Sequence, residues 1–269
     1  MHAISVQRVD AEGRIEPIER FGRLAEEAPL DAVMLAIAGV LRAPVDEAAT
    51  LAVLDEWAAA CAAPTFEALH AVLFDAVGLV GDVDDYGDPE NSMLDAVVAR
   101  RRGIPISLSI IVIEVGRRAG VIVDAIGMPG HFLVRDRVSG VYCDPFAGGV
   151  LLDEAGCAAR FHQLFGARER FSPGLLVATP RPLVLARVLA NLESSRWATD
   201  PHRLLMMLEM HRRIAGLPAV EHLRLAQRFE ALGAFDAAAL EATKAAGALT
   251  DEPAGVALAR ANAARARTN

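Results

Sequence analysis

Cysteine is scarce in this chain. Three occur among 269 residues, Cys61, Cys143 and Cys157, and none stands in a CxxC spacing. That argues against both a disulfide framework and a structural zinc site. Aromatic residues make up only 5% of the chain, and alanine is abundant, so helices should dominate. Basic charge is also short: 27 Lys and Arg stand against 35 Asp and Glu, for a net charge of -8. The acidic residues are spread along the chain rather than massed in a tail. Such a balance disfavours nonspecific binding to nucleic acid, which needs a basic surface. The one basic run, Arg100-Arg101-Arg102, reads as a solvated helix end.

Long apolar runs are missing too. The nearest, Ile104 to Val115, is too short to span a bilayer and carries Glu114. The start of the chain has no basic-then-apolar stretch, so no signal peptide and no membrane contact are expected, and the location expected is the cytoplasm.

What is present supports a sizeable core. Apolar residues are 53% and charged residues 23%, a balance of folded rather than disordered chains. The length suits one large domain, or one medium and one small.

Residues 1–28 read as charged and irregular, with Gly13 and Gly22 breaking any period. From Pro29, Val33, Ile37 and Val40 recur at helical spacing up to Pro44. Asp46 caps a second helix through Trp57 and Ala60, and Pro64-Thr65 opens a third with Phe66, Leu69 and Leu73 on its apolar face. An aspartate-rich stretch from Gly78 to Asn91 invites a calcium reading, but its order does not match the EF-hand loop. It is better read as a turn leading to a helix from Ser92 to Arg101, with Asn91 or Ser92 as N-cap. The run Pro105 to Ala119 is apolar around most of its circumference and so predicts a buried central helix, closed by Gly120. Glu114 and Arg118 lie at i,i+4 along its polar edge.

Short strands follow at 121–128, 131–135 and 141–144, with turns at Pro129-Gly130 and 136–139. From Pro182 the chain is helical again. Leu225-Ala226, Leu232-Gly233, Phe235 and the run Ala237-Ala238-Ala239 fit the small-residue positions of a tetratricopeptide-like helix pair, with a weaker pair before it. Two such units are too few for a free-standing solenoid, so the tail is expected to pack on the main domain. Residues from Thr250 onward are expected to fray. Taken from the residues alone, this is a helix-rich α+β protein: a helical N-terminal region over 1–64, a core over 65–180 and a helical tail over 181–269.

The chemistry concentrates at Pro129-Gly130-His131-Phe132-Leu133-Val134-Arg135 and Tyr142-Cys143-Asp144-Pro145-Phe146. A four-residue loop over 136–139 would pair Arg135 with Gly140 and set His131 directly opposite Asp144 on one sheet face. An aspartate orienting a histidine is half of a nucleophilic triad. The missing member is a nucleophile at a helix N-terminus, where the dipole lowers a thiol's pKa.

The ordered set Asp85-Tyr86, Asp88-Pro89, Asn91-Ser92, Leu94, Arg102-Gly103-Ile104-Pro105-Ile106-Ser107-Leu108, Glu114-Val115, Gly120, Pro129 to Arg135 and Asp144-Pro145-Phe146 resembles the bacterial SirB-type proteins. These are transglutaminase-like proteins with a tetratricopeptide-like tail. The resemblance, strong from Phe66 to Gly149, implies a papain-like core whose central helix begins with a cysteine, with a histidine and an aspartate on adjacent strands. His131 and Asp144 match the second and third members. The cysteine should fall near Pro105 to Ser107, and no cysteine is there. Thiol chemistry is therefore not expected.

Each candidate has a plainer reading beside the functional one. His131 taken alone is a buried, satisfied histidine, but opposite Asp144 it reads as a site. Ser107 is a candidate substitute nucleophile, against the commoner role of bonding first-turn backbone. Cys143 neighbours Asp144 and so faces the other way, as core. Arg102 and Arg135 are candidates for a carboxylate or phosphate, or else partners of nearby acids. Asn91 is a substrate-binding candidate, or a helix cap. The leading expectation is a noncatalytic protein that binds a protein or peptide partner or a small anion, using neither cofactor nor metal. The alternative is a hydrolase or acyltransferase using His131 and Asp144 with Ser107 or an activated water. No G-x-S-x-G elbow is present, which excludes an α/β-hydrolase.

Overall fold

The computed structural model describes residues 17–42, 44–248 and 251–267. The helices in chain order are α1 (Pro17–Glu27), α2 (Leu30–Leu41), α3 (Glu47–Ala59), α4 (Phe66–His70), α5 (Leu94–Arg100) and α6 (Pro105–Ala119). After the sheet come α7 (Glu154–Phe165), α8 (Arg181–Glu193), α9 (Pro201–His211), α10 (Ala219–Ala231), α11 (Phe235–Ala248) and α12 (Asp251–Ala266). The strands are β1 (Val80–Gly81), β2 (Arg102–Gly103), β3 (Val123–Ile126), β4 (Leu133–Asp136), β5 (Tyr142–Asp144) and β6 (Val150–Leu152). Strands β1 and β2 form a small parallel pair, and the other four an antiparallel sheet in sequence order. This is a helix-rich α+β architecture.

Helix α6 is the axis of the core. Its six β-branched residues (Ile106, Ile110, Ile111, Val112, Ile113 and Val115) each cost about 0.5 kcal/mol of helix propensity against alanine. Burial outweighs this, at about 1.5–3 kcal/mol for each fully buried aliphatic side chain, and eleven of the fifteen residues are buried. Pro105 starts the helix at N1, where its missing N–H costs nothing, and Gly120 ends it in the left-handed region. Glu114, 3% exposed, accepts from the Leu30 N–H at 2.8 Å and from Arg117 at 2.8 Å. Arg118 reaches Glu114 at 3.4 Å, as the i,i+4 spacing predicts, and also pairs with Asp31 and Asp55.

One hydrophobic cluster joins α1, α2, α5 and α6 to one face of the sheet and to α8, α9, α10 and α11. The other sheet face (Ile126, Leu133, Tyr142) packs on Cys157 and Phe161 of α7 as a second cluster.

The structure corrects the sequence reading in several places. Residues 17–28 are not irregular. Ile18, Phe21 and Ala25 fall on one buried face of α1, and Gly22 is accommodated within it. Residues 1–16, including Gly13, lie outside the described residues, as does Thr250. Beyond Thr250 the chain does not fray at once but forms α12, with Ala257, Ala261 and Ala264 buried. Helix α5 begins at Leu94, and no side chain caps it; Asn91 and Ser92 belong instead to a 3-10 turn (Pro89–Ser92) capped by Asp88.

The hairpin register is also shifted. The ladder pairs Arg135 with Tyr142 and Val134 with Cys143. Asp136 ends the strand instead of opening the loop: its N–H donates to Val141 O at 2.9 Å. Its carboxylate accepts from Val138 N, Ser139 N and Ser139 Oγ. The displacement is two residues in the pairing sum, so every side chain keeps its face.

Candidate functional site

His131 follows a tight turn. The Pro129-Gly130 pair closes it with the His131 N–H donating to Met128 O at 3.1 Å, and Gly130 takes a φ of +67 that side chains other than glycine rarely adopt. Asp144 ends β5 and caps the 3-10 turn Pro145–Ala147, its Oδ1 accepting from Phe146 N at 3.1 Å and Ala147 N at 3.2 Å. Its Oδ2 lies 2.9 Å from His131 Nε2. His131 and Asp144 are therefore brought together diagonally across the strands, although they are not register partners.

The same Oδ2 lies 3.0 Å from a guanidinium nitrogen of Arg160 on α7. Asp144, fully buried, thus serves two backbone N–H groups, an imidazole and a guanidinium. A neutral imidazole in this place would donate from Nε2 to the carboxylate and leave Nδ1 as its lone-pair nitrogen. His131 is 7% exposed. The Phe146 ring stands edge-on to it at 6.2 Å and to Tyr86 at 5.8 Å. Phe146 also lies against Gly81, where a Cβ would come within 2.4 Å of the ring, so β1 needs glycine there.

Ser107 is at the start of α6 and makes no hydrogen bond to His131 or Asp144. Its hydroxyl donates to Asn91 O at 2.7 Å and accepts from Ile104 N at 3.1 Å, and the residue is fully buried. That is the N3 half of a capping arrangement. Ser109 Oγ is buried without a hydrogen-bond partner. Asn91 is a brace: its amide donates to Asp85 O at 2.8 Å and its Oδ1 accepts from Arg100 at 2.9 Å. Arg102 meets Asp84 at 3.3 Å on the surface. Arg135 meets Asp124 at 2.9 Å and lies over the Tyr142 ring. Burial pushes Asp124 up, but Arg137 and Arg135 outweigh it and hold that carboxyl below the usual range.

Neither thiol near the dyad is poised to react. Burial, with Asp144 adding, pushes Cys143 up to about 12, and it points into the main core. Burial and neighbouring carboxylates push Cys157 up to about 11. Thiols with such values are protonated at neutral pH and are poor nucleophiles.

Arg160 was not found from the sequence. Its helix carries a signal that would have revealed it: Asp153 caps it through Gly156 N, and Cys157 and Phe161 recur at i,i+4. Nothing in the sequence says that this helix turns Arg160 toward Asp144.

A UPF0162 protein of Xylella fastidiosa (strain Temecula1) is 41% identical over 138 residues, which is 49% of each chain. A UPF0162 protein of Vibrio cholerae is 30% identical over 133 residues, 48% of this chain and 49% of that protein. The chain thus spans about half the length of these curated relatives. F-box only protein 21 of Mus musculus is 33% identical over 101 residues, covering 34% of this chain and 16% of that protein. No solved structure gave a significant match. Residues 32–190, more than half of the chain and including α6, His131, Asp144 and Arg160, match the transglutaminase-like superfamily, and the chain belongs to that superfamily.

Proposed function

We propose that this is a noncatalytic, cytoplasmic transglutaminase-like protein of the SirB type that binds a peptide or protein segment, or a small anion, around His131 and Asp144. Its tetratricopeptide-like tail adds a surface for a protein partner. The observation that carries this reading is the state of Ser107. The hydroxyl where the fold's nucleophile would stand is spent on Asn91 O and Ile104 N inside the core. A hydroxyl so engaged makes no hydrogen bond to a base among the described residues, and an unactivated hydroxyl is a poor nucleophile. The intact His131–Asp144–Arg160 group is then a recognition device: the carboxylate fixes the imidazole, and Nδ1 and the guanidinium offer polar contacts to a ligand.

Peptide-array binding with purified protein tests the reading. His131→Ala should change the pattern of bound peptides, while no amide or ester substrate turns over at any pH. A second reading rests on the unengaged Nδ1 of His131: a base that activates water needs such a lone pair. That reading requires turnover lost in His131→Ala and retained in Ser107→Ala.

A further inference from the structure

The chain also holds a cavity of about 90 Å³ between the 86–92 loop, the start of α6 and the end of α8, with Phe146 standing between its Tyr86 and His131. Its lining includes Tyr86, Asp88, Ser92, Ile104, Asn191 and Ser194. Ser92 is only 4% exposed, and among the described residues its hydroxyl has no hydrogen-bond partner. The side-chain amide of Asn191 and the Tyr86 hydroxyl are likewise without partners there. All three groups both donate and accept.

The charged side chain in the lining, Asp88, is already matched; Arg187, near the Tyr86 hydroxyl and without an ion-pair partner among the described residues, stands outside the lining. Asp88 accepts from Arg100 at 2.8 Å and lies 3.9 Å from Arg196, and Arg196 holds Asp85 with both its terminal nitrogens. The hydroxyls of Ser194 and Ser195 donate to the Ala190 and Leu192 carbonyls at the end of α8. An ion entering would lose its hydration and meet no unpaired charge in the lining itself, a cost that an uncharged group avoids. A cavity of about 150 Å³ holds a benzene ring, so this one admits about three or four non-hydrogen atoms.

We infer that this cavity is a binding site for a small uncharged group with both a donor and an acceptor, held by Ser92 and Asn191. It is independent of the reading of the dyad. The group belongs either to a free small molecule or to the tip of a side chain on a bound polypeptide.

Acetamide, acetate and acetamidinium are near-isosteric probes that differ in charge. Titrated into the 15N-labelled full chain, acetamide should move the amide signals of Ser92, Asn191 and Ser194 saturably. Ser92→Ala and Asn191→Leu should each weaken that binding by about fivefold, the factor one net hydrogen bond carries. Acetate and acetamidinium should leave the signals in place. Equal or tighter binding of either ion, or shifts that never saturate, overturns the inference, as does binding unchanged in both variants. A capped alanine–asparagine–alanine tripeptide separates the sources. Binding at least tenfold tighter than acetamide assigns the site to a side chain, and equal or weaker binding assigns it to a free molecule; both uphold the site.

Discussion

Asp144 Oδ2 lies 2.9 Å from His131 Nε2, although the ladder pairs Asp144's neighbour Cys143 with Val134 rather than with a residue beside His131. The contact is diagonal, and it survives because the strand period is two. With Arg160 on the same oxygen, Asp144 is a buried carboxylate with four donors.

Removing that carboxylate leaves an imidazole, a guanidinium and two N–H groups unmatched. Asp144→Ala should therefore cost about 3–5 kcal/mol in urea unfolding. Arg160→Ala should cost about 1 kcal/mol or less, because its side chain is 30% exposed and solvent screens the pair. Equal losses in the two variants would show that Arg160 matters more than its exposure implies.

Ser107→Ala tests the structural role of that hydroxyl. The variant strands the Ile104 N–H at the start of α6 and removes the bond to Asn91 O. A loss of about 1–2 kcal/mol is expected. A serine-directed fluorophosphonate should label neither the native protein nor the variant. Labelling of the native protein that vanishes in the variant would make Ser107 a nucleophile.

The tail should respond to acid. Burial pushes the Glu193 carboxyl up, but the hydrogen bond and charge of His211 and the charge of Arg224 outweigh it and hold it below its ordinary 4.5. Glu241 is depressed likewise: burial opposes, and His222 and Lys244 prevail. A depressed carboxyl stabilises the fold above its unfolded pKa, and that stability is lost as pH falls through the folded value. Melting temperature should thus hold near neutrality and drop below about pH 4.5. Glu193→Gln should lower the neutral value and flatten the acid fall. A variant with the native pH profile would remove Glu193 from this account.

Truncation at residue 182 should not yield a folded core. Val184, Leu185, Val188, Leu189 and Leu192 of α8 belong to the same hydrophobic cluster as α2 and α6. Deleting residues 182–269 exposes that surface, and the product should aggregate or show the broad spectra of a loosely packed state. A well-dispersed NMR spectrum from residues 1–181 would show instead that the tail is dispensable.

Much of the fold was legible because some signals were local. Pro105 and Gly120 bracket α6, and both ends are read correctly from those two residues. Asp46 and Thr65 are visible caps, each accepting from the N–H three residues on. Other features carried no local signal. Strands β1 and β2 are two residues each, too short to show a period. The register turned on whether Asp136 ended the strand or opened the loop, and its carboxylate serves both positions. Helix α1 was hidden because five of its eleven residues are charged, its three buried residues falling among them. Of the site, His131 and Asp144 were legible as a pair on one face. Arg160 was not, because only the packing of α7 on the sheet brings it there.

The central claim is that the dyad recognises and does not catalyse. The most direct test is the rate at which purified native protein cleaves or transfers from a panel of peptide amides and esters between pH 5 and 9, set against His131→Ala. The account predicts indistinguishable rates for the two proteins across the panel, both at the background of buffer alone. A rate that depends on His131 would contradict it and make this site an active one.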